Sequence, residues 1–562
     1  MGSRGRTGLA FVISAAVLTG CAGIPTSGSV VEGDPVLEPQ PQYAGFEPDP
    51  PVPGADEVGI VAGFVDAMAS YERDYQTARE FLAADATASW NPADNTTIYD
   101  SAPTIVQTAR GAVRVTITVV ATVGPDGYVK APLSPPKDLD LTLEQVDGEW
   151  RISNPPSGII VSDLDFANEF EPYNLYFFDP AFEKLVPDPV FLPVRGSRAT
   201  LLAEALLRGP SRWLAPAVAT AFPPETGLGV PVRVDSERAT VELTSQARTG
   251  TPDQVRLMGV QLAWALSQLD GIQQVSVTSD GRPLMAGEAT SMPVDSYPEY
   301  SPNVVPRRSD LYAAAESGLV VIGDSGPVPV PGPLGSTTGI REIAVNVDVN
   351  RAATVDSTGE RLIWAPFESE AVPTVLATGT NLVSLSWDRT NLIWAVDQAA
   401  GGSRLIVCEP GREPATVAAA GLDGRRVDDV AVSLDGTRVA FASEGDVLLG
   451  IVLRDPERPE NVQIDALHPL ALDGRRVTDV SWAGPTTLAV LVQAEGAVPE
   501  PYRVELAQSL AKPAGSVPGA DTLTASPGQG LVVSTVDGTL LRQAANLEWT
   551  EIGDATAPAY PG

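Results

Sequence analysis

The side chains that could carry chemistry are few in kind. The 562-residue chain holds one histidine, His468, and two cysteines, Cys21 and Cys408. Histidine triads, multi-histidine zinc sites and four-cysteine sites are therefore excluded within one chain. No GxxxxGKS/T phosphate loop and no GxGxxG strand-to-helix turn occurs, which removes the enzyme classes built on them. Carboxylates are plentiful, with 71 Asp and Glu against 37 Lys and Arg, a net charge of −34. Acids can work in pairs around a channel in hydrolases, yet no pair here stands apart by local context. Asp163-Leu164-Asp165 is followed by no glycine-spaced acidic series, so it is not a calcium loop. One basic pattern does recur: Leu422-Asp423-Gly424-Arg425-Arg426-Val427-Asp428-Asp429-Val430 returns as Leu472-Asp473-Gly474-Arg475-Arg476-Val477-Thr478-Asp479-Val480. Arg425, Arg426, Arg475 and Arg476 could meet carboxylates on a partner through bidentate pairing. The plainer alternative is that each pairs with Asp423, Asp473 or another neighbouring acid. The sequence points to no enzyme, cofactor or metal site.

Cys21 has a different chemistry. Arg4 and Arg6 precede an apolar run over residues 9–18, and Leu18-Thr19-Gly20-Cys21 closes it with small residues before the thiol. The run is shorter than the roughly 20 residues a bilayer span needs, so residues 1–20 read as a signal peptide. The tetrad matches the lipobox of bacterial lipoproteins, in which cleavage before the cysteine leaves its thiol to carry a diacylglycerol and its amine an acyl chain. That places the mature chain outside the cytoplasm, held to the bilayer through Cys21, since two or more acyl chains anchor stably where one does not. Cys408 follows Leu405-Ile406-Val407 and, with no base near it in sequence, reads as a buried strand residue. Residues 21–57 are proline-rich and read as an extended stalk.

At about 100–200 residues per domain, the length implies three to five domains, and 43% apolar content is enough to fill their cores. The surplus of acid repels phosphate backbones, so nucleic acid is no partner. Across residues 58–165, Val61, Phe64, Val65 and Met68 recur at helical spacing, and Ala78, Phe81 and Leu82 mark a second helix. Residues 113–120 alternate as a strand, residues 139–146 form another, and Asp147-Gly148 turns into Trp150-Arg151-Ile152. Helices followed by a curved sheet resemble the NTF2-like α+β cone.

Residues 172–285 contain a strand at 173–178 and a helix at 199–207 stopped by Gly209-Pro210. A hairpin follows around Asp235-Ser236, then an amphipathic helix at 255–269 and a strand at 275–277 before Asp280-Gly281. With Leu206-Leu207-Arg208-Gly209-Pro210 and Phe222-Pro223-Pro224, this order resembles the GerMN domain, which implies recognition or assembly rather than catalysis.

Residues 300–556 carry the repeat. Anchors at Ile343, Leu385, Val430, Val480 and Leu523 lie 42, 45, 50 and 43 residues apart, the period of four-stranded propeller blades. A strand pair at 311–313 and 319–322 either begins a sixth blade or helps close the ring, so the expectation is an all-β propeller of five to six blades. Trp364, Trp387, Trp394 and Trp482 recur inside its strands as core residues.

Lipobox, proline-rich stalk, small α+β domain, GerMN-like domain and propeller, in that order, resemble the actinobacterial LpqB lipoprotein family over essentially the whole chain. The resemblance implies an accessory protein at the outer face of the cytoplasmic membrane. Its partner is then the extracytoplasmic domain of the sensor histidine kinase of the MtrA–MtrB two-component system, with effects on cell division and envelope homeostasis. An envelope receptor for a wall fragment or glycan, or a propeller-type hydrolase, are the alternatives.

Overall fold

The computed structural model describes residues 48–562 apart from 125–126, 131–134, 285–290, 303–309, 324–325, 456–457, 471, 473 and 509. The signal peptide, Cys21 and most of the stalk lie outside the described residues. Among the described residues no helix is long and apolar enough to cross a membrane.

The first helix, α1 (Glu57–Ala69), starts one residue before the expected boundary because the Asp56 side chain accepts the Gly59 N–H and caps it. It buries Ile60, Val61, Phe64, Val65 and Met68 on one face. The second expected helix is shorter than its apolar residues suggested: α2 spans Gln76–Glu80, and Phe81 and Leu82 follow it on the way into α3 (Ala84–Ser89). A strand at Thr96–Ala109 had no counterpart in the sequence reading. It is broken near Pro103 by a bulge between Asp100 and Thr104, with Ser101 at φ 67°, so the alternation that reveals a strand is interrupted. It pairs with Ala112–Gly124, which in turn pairs with Lys137–Val146 and then Glu149–Ile152. Phe64, Tyr75, Phe81 and Trp90 fill the space between sheet and helices, so this α+β unit has a packed interior.

The second unit begins where α4 (Asp163–Glu169) passes into the strand Phe170–Phe178. That strand pairs along its length with Leu185–Pro193, which the sequence concealed because Pro187, Pro189 and Pro193 interrupt it. A two-stranded ribbon tolerates them, since each strand has a free edge. Helix α5 (Arg198–Arg208) ends at Gly209, whose φ of 99° a side chain would strain. Helix α6 (Pro252–Leu266) opens with a reciprocal capping box between Thr251 and Gln254. Both helices pack against Arg238–Leu243 and Gln274–Ser279, which run parallel. The unit continues past 285, because Arg256 lies over the rings of Tyr297 and Tyr300 at 5.8 and 5.7 Å.

The third unit is a propeller with six blades among the described residues. Blade 1 combines three strands within residues 311–329 with a fourth, Thr556–Ala559, from the far end of the chain. The pair at 311–322 thus both begins a sixth blade and closes the ring, and the unit reaches beyond the expected limit of 556. Blades 2 to 6 occupy residues 340–378, 382–416, 427–470, 477–513 and 520–554. All five sequence anchors lie on innermost strands, and each innermost strand packs beside the next around a closed circle. Trp387, Trp394 and Trp482 are buried between blades, whereas Trp364 is half-buried. Cys408 is buried among Ile393, Ile406 and Trp387, and burial pushes its thiol up to about 12, so it is inert near neutral pH.

Candidate functional site

The innermost strands surround a central well of about 920 Å³. Each of the five strands that carry an anchor has a bulge at the same place, two residues before the anchor, at 341, 383, 428, 478 and 521. The residue just before each anchor lines the well: Glu342, Ser384, Asp429, Asp479 and Thr522. Three of these five are acids.

Most of these side chains lace neighbouring blades together. Ser384 Oγ accepts the Val430 N–H at 3.1 Å and donates to Asp429 Oδ1 at 2.5 Å. Asp429 Oδ2 accepts the Val480 N–H at 2.8 Å, and Asp479 Oδ2 accepts the Leu523 N–H at 3.1 Å. One step deeper, Ser386 and Ser481 accept the N–H groups of Val432 and Ala525. Parallel innermost strands sit too far apart for a ladder, so side chains satisfy their inward N–H groups instead. Glu342 breaks the pattern. By position it should accept the Leu385 N–H, yet among the described residues its side chain has no hydrogen-bond or ion-pair partner.

Glu342 and Asp479 hold their protons unusually tightly. Loss of water in the narrow well, together with the negative charges of Asp429 and Asp521, pushes Glu342 up to about 8 against the pull of Arg341. Asp479 is raised well above the ordinary carboxylate range by burial first, then by the charge of and hydrogen bond with Asp429.

The floor and mouth of the well differ. Tyr560 N donates to Thr524 of blade 6, Gly562 N to Val345 of blade 2, and Gly562 lies against Leu434 of blade 4. Those three points alternate around a six-fold ring, so residues 560–562 cross the channel and close that end. At the opposite end Arg341, Arg426 and Arg476 stand with Asn381, Gln398 and Gln493. Arg426 and Arg476 are exposed there.

The four expected arginines therefore do not form one cluster. Arg426 and Arg476 reach the mouth of the well, Arg426 pairing with Asp428 at 2.7 Å. Arg425 turns to Glu444 and Asp446 at 3.4 and 3.6 Å, and Arg475 lies 5.0 Å over the Tyr502 ring while donating to the Leu472 carbonyl. A loop of successive residues points alternate side chains apart, which separates each Arg-Arg pair. Asp473 lies outside the described residues. Sequence reading missed Glu342, Asp429 and Asp479; the signal that could have found them was their shared place one residue before each anchor.

The three units are fastened to one another. Arg195 pairs with Glu169 at 2.9 Å while Phe166 packs on Phe170 and Phe191, both at 5.0 Å. Arg389 of the propeller pairs with Asp179 at 3.0 Å and Glu183 at 2.5 Å on the second unit. Trp213 donates to the Ala466 carbonyl at 2.8 Å and meets His468 edge-on at 4.9 Å. Val186, Leu214 and Ala217 pack on Ile451 beneath them.

Comparison with known proteins agrees with this division. "Lipoprotein LpqB, N-terminal domain" matches residues 50–167, "Sporulation and spore germination" (Germane) residues 174–285, and "Lipoprotein LpqB beta-propeller domain" residues 317–561. The chain is 33% identical to Lipoprotein LpqB of Thermobifida fusca, covering 98% of this chain and 97% of that one. It is 32% identical to Lipoprotein LpqB of Streptomyces avermitilis over 98% and 97%. TolB from Acinetobacter baumannii, a solved structure, is 14% identical over 53% of this chain and 85% of that chain, with a TM-score of 0.36. By sequence, domain order and near-complete coverage, the chain belongs to the LpqB lipoprotein family.

Proposed function

We propose that the protein is a lipid-anchored extracytoplasmic accessory of a membrane sensor histidine kinase, the MtrA–MtrB type of two-component system, acting by protein–protein contact rather than catalysis. Cys21 supplies the anchor at the outer face of the cytoplasmic membrane, and through the kinase the protein affects cell division and envelope homeostasis. The observation that carries this reading is the fastening of the three units. The Glu169–Arg195 and Arg389–Asp179 pairs hold the α+β, GerMN-like and propeller surfaces in one arrangement. A partner touching one surface then meets the others at defined positions, as recognition of one kinase conformation requires. Anchoring confines both proteins to the membrane plane and raises their effective concentration, so weak contacts suffice.

In-cell crosslinking of the native lipidated protein, followed by mass spectrometry, tests this against a copy lacking the propeller. Recovery of a sensor kinase with the full chain alone supports it; recovery of only glycan-processing enzymes or wall fragments overturns it. Replacing Cys21 by Ala should move the protein from the membrane to the soluble fraction, and continued retention would sink the anchoring claim.

A further inference from the structure

We propose that the propeller well binds a small zwitterionic ligand of short-peptide size. Its ammonium group sits against Glu342, Asp429 and Asp479, and its carboxylate meets Arg426 and Arg476 at the mouth.

The volume of about 920 Å³ lies within the range of small-molecule sites, and residues 560–562 make it a blind pocket rather than a passage. Its charges are layered. Arg426 and Arg476 precede the strand starts, and Asp429 and Asp479 lie three residues further along, at most about 10 Å since the bulges at 428 and 478 shorten the path. A cationic rim above an acidic interior complements a ligand carrying opposite charges at a matching separation, and repels the reverse orientation.

Two groups in the well have no structural task. The Glu342 side chain forms no hydrogen bond or ion pair among the described residues, unlike those of Ser384, Asp429 and Asp479 at equivalent positions, and it lines the well beside them. The Arg476 side chain, exposed at the rim, likewise makes no hydrogen bond or ion pair among the described residues, whereas Arg426 holds Asp428. The charged groups around Glu342 are Arg341 on its own strand, Asp429 and Asp479 from blades 4 and 5, and Asp521 from blade 6. With three acids against one arginine, Glu342 keeps its proton near neutral pH. An arriving ammonium replaces that proton, forms charge-assisted hydrogen bonds with the carboxylate left behind, and sends the proton to solvent.

The test is calorimetry on the full-length protein in detergent near pH 7. The probe is Nα-acetyl-lysyl-alanine, which has one ammonium and one carboxylate. Its C-terminal amide keeps only the ammonium, and Nα-acetyl-alanyl-alanine keeps only the carboxylate. The dipeptide should bind with proton release, measured in buffers of differing ionisation heat, and each control should bind at least about tenfold more weakly. Glu342→Gln should weaken the dipeptide about tenfold and abolish the proton release. Arg426→Ala with Arg476→Ala should weaken the dipeptide similarly but leave the amide unchanged. If Glu342→Gln disturbs thermal unfolding, Glu342→Asp must show the same weakening, since the shorter acid withdraws to the Leu385 N–H. No heat from the dipeptide, equal binding of dipeptide and amide, or wild-type affinity in the variants would overturn the proposal.

Discussion

The innermost strands of the propeller present two faces that obey opposite rules. One face of the strand at Val477–Trp482 enters the blade core, where Trp482 is 5% exposed, donates its indole N–H to the Ala431 carbonyl at 3.0 Å and carries Arg438 over its ring. The other face sends Asp479 into the well, where it takes the Leu523 N–H and faces Asp429. Packing decides the first face, because any lost volume there becomes a cavity. Hydrogen bonding and charge decide the second, because space is left open and each polar group must find a partner or a proton. Stability is concentrated on one side of a strand, and the capacity to bind is left on the other.

Substitutions along these strands sharpen the contrast, and their expected effects descend from core to well. Trp482→Ala should cost the most, about 3–5 kcal/mol, since it opens a cavity and also removes the ring beneath Arg438, a buried cation paired with Asp435. Chemical unfolding followed by near-ultraviolet circular dichroism measures it, and a loss below about 1 kcal/mol would mean the blade core is not close-packed. Asp429→Ala should cost less, about 1–2 kcal/mol. It leaves the Val480 N–H without its acceptor and Ser384 without its carboxylate, offset by relief of the repulsion on Asp479.

Glu342→Gln should have the opposite sign. The folded protein holds Glu342 at about 8 against an ordinary 4.5, so the folded state binds more protons than the unfolded chain between those values. Stability from this group is therefore complete below pH 4.5 and declines as pH rises through 8. Glutamine cannot titrate, so the variant should gain stability relative to wild type as pH climbs from 5 to 8, with most of the gain complete by pH 8. Thermal melts of both proteins across that range check it. A variant that stays parallel to wild type at every pH would place Glu342 in ordinary solvent and remove the contrast between the two faces.

How much was legible follows from which forces act locally. The 42–50-residue spacing of Ile343, Leu385, Val430, Val480 and Leu523 marked innermost strands because a blade's core position needs an apolar residue whatever surrounds it. Gly209-Pro210 marked a helix end for an equally local reason. Pro103 and the prolines of Leu185–Pro193 concealed strands, because only the partner strand shows which N–H groups are dispensable. Arg426 and Arg476 were visible as a repeat, but their parting from Arg425 and Arg475 was not, since it depends on where neighbouring turns lie.

Sequence alone determined the order of the units and the blade period, because each rests on local pattern or composition. Tertiary structure decided the sixth blade, which needs Thr556–Ala559 to return beside Leu311–Ala315 across more than two hundred residues. It also gathered Glu342, Asp429 and Asp479, each unremarkable among 71 acids until ring closure aimed them at one another. A carboxylate's behaviour depends on distance to other charges and to water, and only the closed ring sets those distances.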